Sequence, residues 1–368
     1  MKIIFYITNH GYGHASRNAA IIQELTQKEK ESHIIIKSDE DRCRFLQRNL
    51  GREKDQIQYY IDCKDTGLVL EPGTLNIDVS ATKTLIQSDV FGWKRNIERE
   101  TRFIQRERPD LIVTDILCWP ILCAKECGVK AIVIGNFTWS SMYKYLFNDE
   151  TFKPFYECYK QADMSIWYEI HDPELELYTK RKKCVSLVSR RVDHERAKTI
   201  AGGHKQPIVF VTLGASADIA KEIDVSSIPY DFVITRGIPL YGGNVYLLPN
   251  NTINTQDYIA ASEYVIAKGG WSTVSEILLQ KKKCCLLSRG TNREDDITRK
   301  YLKQKGHCIM INENELFDIC GLIEKMKTLQ ASPYDYYDST KQICSILVSE
   351  ANEKGGEYEY EYRDNMPI

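Results

Sequence analysis

Short apolar runs alternate with amphipathic stretches from the first residues onward, and the period of the pattern switches between two and about 3.6. Lys2 to Thr8 reads as a buried strand, followed by a glycine-bearing loop and a helical stretch from Arg17 to Lys28, with Ala19, Ile21, Ile22 and Leu25 apolar. The unit recurs: Ser32 to Lys37 is a strand pattern, Asp41 to Leu50 a helix and Ile57 to Asp62 another strand. Beyond a loop with Pro72 and Gly73, residues 83–107 predict a long amphipathic helix stopped by Pro109. A strand from Asp110 to Asp115, a helix over 119–127 and a strand from Lys130 to Gly135 follow. A second series opens at Pro207 to Leu213 and predicts strands near 231–235, 244–248, 263–268, 283–287 and 307–311. Strands alternating with helices imply doubly wound parallel sheets.

A chain of 368 residues suits two such units better than one. The first is expected over 1–192 and the second over 206–335, joined by a polar linker at 193–205 that contains Gly202 and Gly203. A last helix, within 336–354, is expected to pack back on the first unit, and 355–368 reads as a disordered tail. The formal charge of −2 gives no global field that would recruit nucleic acid or an anionic membrane. Twelve scattered cysteines without a CxxC pair, and no secretory leader, point to a reducing cytoplasm and to no metal site. Nowhere is there an apolar run long enough to span a bilayer.

Ligands of doubly wound sheets bind beyond the carboxyl ends of the strands. Residues 9–17 form one such loop, where Gly11 and Gly13 allow close backbone approach, although serine stands in the third glycine's place of a dinucleotide fingerprint. A tight strand-to-helix turn is the structural alternative. Asp115 ends a strand of the same unit. Alone it would read as a helix cap, but paired with His14 it would orient the imidazole, and such a dyad can deprotonate an alcohol. In the second unit, Gly214-Ala215-Ser216 offers amides and the Ser216 hydroxyl to a phosphate. The stretch from Lys268 to Glu276 offers more: Gly269 and Gly270 expose amides at a helix start, Thr273 supplies a hydroxyl and Glu276 lies a turn further on. A phosphate at the amides and a ribose diol at the carboxylate would satisfy it; a capped helix with an incidental glutamate is the alternative. Glu294 and Asp295 can bond sugar hydroxyls or simply favour a helix start.

Residues 269–276, with Glu294-Asp295 and the Gly306 turn, resemble the donor half of GT-B glycosyltransferases of the MurG-like and UDP-glycosyltransferase kind. The resemblance implies two Rossmann-like domains facing across a cleft, diphosphate at the glycines, ribose at Glu276 and donor sugar at Glu294-Asp295, where Asp295 stands in a position commonly held by glutamine. His14 and Asp115 are similar to the catalytic pair of inverting members. Tyr6 to Arg17, with Asn136-Phe137-Thr138-Trp139, resembles the glycosyltransferase-like part of plant L-arabinokinases; no sugar-kinase domain follows, so kinase activity is not implied.

The expectation is an inverting, metal-independent transfer from a nucleotide-diphosphate sugar, UDP-sugar favoured, to a hydroxyl of a small molecule or glycan, with Asn136 and Trp139 on the acceptor side. A nucleotide-sugar hydrolase and a silent sugar-nucleotide-binding module are its rivals. Lys94, Arg95, Arg99 and Arg102 on a mixed-charge helix leave a lipid-linked acceptor and peripheral membrane contact open.

Overall fold

The structure is a computed structural model that describes residues 1–63, 65–72, 76–147, 149–213, 222–287, 292–329 and 335–353. The first half forms a parallel sheet of β1 (Lys2–Ile7), β2 (His33–Ser38), β3 (Ile57–Ile61), β4 (Leu111–Asp115), β5 (Ala131–Gly135), β6 (Met164–Tyr168) and β7 (Lys182–Val185). Its order, β3-β2-β1-β4-β5-β6-β7, reverses direction at β1. Near-continuous apolar strands such as Ile3 to Ile7 and Leu111 to Val113 are buried because helices cover both faces.

The second half supplies β8 (Ile208–Thr212), β9 (Ile223–Asp224), β10 (Asp231–Ile234), β11 (Leu240–Tyr241), β12 (Val245–Leu247), β13 (Tyr264–Lys268), β14 (Lys283–Leu287) and β15 (Cys308–Ile311). Six of them form a second parallel sheet, β12-β10-β8-β13-β14-β15, while β9 pairs with β11. Both sheets change winding direction next to their first strand, so β1 lies beside β4 and β8 beside β13. Those are the crevices where such sheets hold ligands. Register brings Ile7 opposite Asp115, so the loop after β1 and the acid at the end of β4 emerge side by side.

Three elements differ from the sequence pattern. The helix after β1 begins at Tyr12, so Gly13 to Ser16, read as loop, form its first turns. Gly11 precedes it at φ 81°, a left-handed backbone that glycine adopts without strain. The polar stretch read as a linker is largely the helix His194–Gly202, started by the Asp193 side chain bonding the Arg196 amide and packed on the helix Thr255–Ala261. Strands β6 and β7 arise from a region whose short, mixed runs carried no clear period.

The helix Thr340–Asn352 lies on the first half: it packs on the helix Tyr12–Lys28, and the Cys344 thiol lies 3.3 Å from the Ile21 carbonyl. Arg181 and Lys130 hold its Glu350. The tail at 355–368 is outside the described residues. No described helix is long and apolar enough to cross a membrane. Leu347 has no exposed surface in that docked helix, so Leu347→Ala should lower unfolding free energy by about 2–5 kcal/mol in urea titration.

Candidate active site

Asp115 is the hub of the first half's contribution. Its Oδ1 lies 2.8 Å from His14 Nδ1 and accepts from Arg17 Nη2 at 2.5 Å; its Oδ2 accepts from Arg17 Nε at 2.8 Å and from the Asn18 amide. Residues spaced by three and four on a helix share a face, which is why His14, Arg17 and Asn18 all reach one carboxylate from the first two turns of a single helix. Asp115 and Arg17 are almost wholly buried, and His14 is 4% exposed. Burial would push the Asp115 carboxyl up, but the Arg17 guanidinium and His14 outweigh it and hold it at about 2. Arg17 also donates to Asn136 Oδ1 at 2.7 Å, and its guanidinium stacks over the rings of Tyr168 and Trp271.

Arg17 shares the Asp115 carboxylate with His14. Arg17 Nη2 is also 2.8 Å from His14 Nδ1, and its charge already balances that of Asp115. A carboxylate is a stronger acceptor than an imidazole nitrogen, so Arg17 donates to Asp115 and the Nδ1 proton of His14 points at the same oxygen. Asp115 therefore fixes the orientation of the His14 ring. The residue after it, Ile116, has φ 60°, a conformation that costs a β-branched side chain energy. Tyr159 donates to its carbonyl, and Gly135 leaves room for its side chain: a Cβ at Gly135 would sit 2.9 Å from Ile116 Cγ2.

The second half brings the helix Trp271–Leu279 against the helix Tyr12–Lys28. Ser272 Oγ donates to the Gly13 carbonyl at 2.8 Å, and the Trp271 indole stacks on Tyr168 and donates to the Ile170 carbonyl at 2.9 Å. Asp39, Asp78 and Asn292 cap other helices with their side chains. These two helices start instead at Gly11 and Gly270, with no side-chain cap and no acid in the first turn. Two helix N-termini with no side-chain cap and no acid in the first turn therefore meet at the junction of the two sheets.

The acids of the second half are drawn into this junction. Glu276, 4% exposed, accepts on Oε1 from Arg190 Nε at 3.0 Å and from Ser16 Oγ at 3.4 Å. Glu294 Oε1 accepts from Asn136 Nδ2 at 2.9 Å, so Asn136 spans Arg17 on one side and Glu294 on the other. Asp295 is buried, with its carboxylate beside Gly269, and Thr273 is half-buried in the first turn of its helix. Arg293 forks onto Asp172 at 2.9 and 3.2 Å, a further bond across the junction.

Not every sequence-chosen residue lands as expected. The Gly269 amide bonds the Leu287 carbonyl at 3.1 Å, so the open helix end begins at Gly270. Trp139 is fully buried behind the site, its indole nitrogen bonded to Asp65, which leaves it no face for an acceptor. Enclosure pushes the Asp65 carboxyl up to about 7 despite bonds from Trp139, Thr8 and the Thr66 amide. Ser216 lies outside the described residues. Arg17, Asn18, Arg190 and Trp271 were given no role from sequence; the three- and four-residue spacing from His14 was the signal for the first two.

Residues 1–151 match the family model described as glycosyl transferase family 1. The L-arabinokinase of Arabidopsis thaliana is 22% identical over 318 residues, covering 81% of this chain, which spans 29% of that protein's length. Among solved structures, the kitacinnamycin glycotransferase superposes with a TM-score of 0.62 at 13% identity, covering 95% of this chain and 98% of its own. UGT89C1 of Arabidopsis thaliana, complexed with UDP, gives 0.63 at 10% identity, covering 95% and 99%. The calicheamicin glycosyltransferase CalG4 gives 0.60 at 12%, covering 95% and 97%. The chain has the GT-B fold. The GT-B fold explains why the two sheets present their carboxyl ends to one junction, with His14 and Glu276 on opposite sides of it.

Within this GT-B site the Asp115 charge is a stability element. Its folded-state value is below the ordinary 3.8, so its contribution is fully present above about pH 4 and is lost as pH falls toward about 2. Asp115→Asn, which strands Arg17 without its counter-charge, should cost about 3–5 kcal/mol at neutral pH. The gap to the parent protein should narrow by about 2 kcal/mol between pH 4 and pH 2 in denaturant melts, and a gap that stays constant with pH would refute this assignment.

Proposed function

We propose that the protein transfers a sugar from a nucleotide-diphosphate sugar to a hydroxyl acceptor with inversion and without a metal ion. The observation that carries this reading is the meeting of two uncapped helix N-termini, at Gly11 and Gly270, with His14 in the first turn of one of them. Open amides and the positive ends of helices favour an anion, and a diphosphate is the anion that such a transfer releases. UDP is the favoured carrier, in keeping with the UDP complex of the similar fold.

With the Nδ1 proton of His14 committed to Asp115, Nε2 carries the lone pair. It takes the proton of the acceptor hydroxyl as that oxygen bonds the anomeric carbon from the side opposite the diphosphate. The carbon–oxygen bond to the diphosphate breaks, and the diphosphate leaves with the electron pair. Glu276 would hold the ribose hydroxyls, and Glu294 with Asp295 the donor sugar. Exposed Phe91, on the same helix as Lys94, Arg95 and Arg102, keeps a lipid-linked acceptor among the choices to test.

A second reading, a nucleotide-sugar-binding module without turnover, is favoured by one observation: protein groups already occupy two of the three donor-side acids, Arg190 on Glu276 and Asn136 on Glu294. Thermal-shift screening against UDP-, GDP-, TDP- and ADP-sugars identifies the donor by the stability its binding adds. With that donor and an acceptor panel, His14→Ala should lower turnover by about 10²–10⁴-fold while donor affinity changes little. Near-normal turnover in that variant would sink the assignment of the base. Tight donor binding with no turnover by the parent protein would select the second reading.

A further inference from the structure

Glu276 is held by a cation that lies far from it in sequence. Arg190 follows β7 in the segment leaving the first sheet, where the neighbouring Val188 carbonyl accepts from Ser275 Oγ at 2.6 Å. Its guanidinium is 8% exposed and is committed at all three nitrogens: Nε to Glu276 Oε1 at 3.0 Å, Nη2 to Thr255 Oγ1 at 3.0 Å, and Nη1 to the Ile253 carbonyl. Nη2 also lies 3.0 Å from Glu276 Oε1. Among the described residues, each bond to the Glu276 carboxylate, that of Ser16 included, falls on Oε1. Two nitrogens of one rigid guanidinium on the same oxygen restrict where Oε1 can swing more than a single hydrogen bond would, and so bias the direction of Oε2.

Charge gives a second reason for this clamp. Glu276 sits in the first turns of the helix whose N-terminus is the candidate diphosphate site. A buried, uncompensated carboxylate so near a diphosphate would be repelled or forced to take up a proton. Arg190 balances that charge at Oε1.

We propose that Arg190 is a positioning residue that turns Oε2 of Glu276 toward the ribose hydroxyls and so makes the site prefer ribonucleotides over 2′-deoxyribonucleotides. The inference rests on the nucleotide-sugar reading above. A carboxylate free to rotate would still meet a nucleotide but would no longer separate the two sugars, because discrimination depends on an acceptor waiting for a hydroxyl that the deoxy form lacks.

The test is calorimetric titration of the full chain with UDP, GDP and ADP, each against its 2′-deoxy counterpart. If the parent protein binds none of them and no TDP either, the nucleotide-sugar reading itself fails, whereas binding of TDP alone overturns the ribose preference. If it binds one, it should favour the ribo form by roughly tenfold or more, and Arg190→Ala should remove most of that preference. Preference retained in Arg190→Ala overturns the proposal. Adding Arg190→Ala to Glu276→Gln should change the preference no further, and an additional, independent loss means that Arg190 does not act through Glu276. Should circular dichroism show Arg190→Ala unfolded, Arg190→Lys decides: it keeps the charge and loses the fork, so the preference should drop, and preference equal to that of the parent overturns the proposal.

Discussion

The ion pair between Arg17 and Asp115 is the contact on which the site depends. Two opposite charges stand almost without water at the carboxyl ends of β1 and β4, and each is tolerable only because of the other. Around the pair, His14 and Asn18 also bond Asp115, and Asn136 accepts from Arg17. The histidine is thereby held in one orientation by groups that cannot move independently. Asn136 then carries the network to Glu294, so the buried pair in one half of the molecule is linked to an acid in the other through a single amide.

Between the halves the contact is partly apolar. One cluster of buried side chains runs from Ala15, Ala19 and Ile22 in the first half to Trp271, Val274 and Ile277 in the second. Trp271 joins both kinds of contact, stacking on Tyr168 beneath the Arg17 guanidinium while its indole nitrogen meets the Ile170 carbonyl. Glu276 and Glu294 thus face partners across the junction, Arg190 and Asn136. A ligand entering here would exchange some of those bonds for its own, which ties recognition to the relative position of the two sheets.

Much of this was legible before any coordinates. The apolar strand runs beginning at Lys2, Asp110, Pro207 and Glu263 are buried on both faces, and such runs separated by helical periods leave few topologies open. Gly270 at a helix start and Glu276 a turn later were visible for the same reason, since glycine before an uncapped helix marks open amides. The start of the helix at Tyr12 was not. Local signals there conflict, with two glycines and no capping side chain, and misreading that boundary hid the common face of His14, Arg17 and Asn18. Trp139 is a different case, buried in the structure. Aromatic residues serve cores and ligands alike, and only burial separates the two uses.

The sequence by itself determined the alternation of strands and helices, the two-sheet architecture and the chemistry available at the strand ends, because these depend on period, length and residue type within short windows. Only the tertiary structure decided which charges meet. Arg190 reaches Glu276 across 86 residues, Arg17 reaches Asp115 across 98 and Asn136 reaches Glu294 across 158. No local propensity encodes such partners. They follow from the winding of two sheets that turn their first strands toward one junction, and there the need to compensate each buried charge selects the neighbour that can do so.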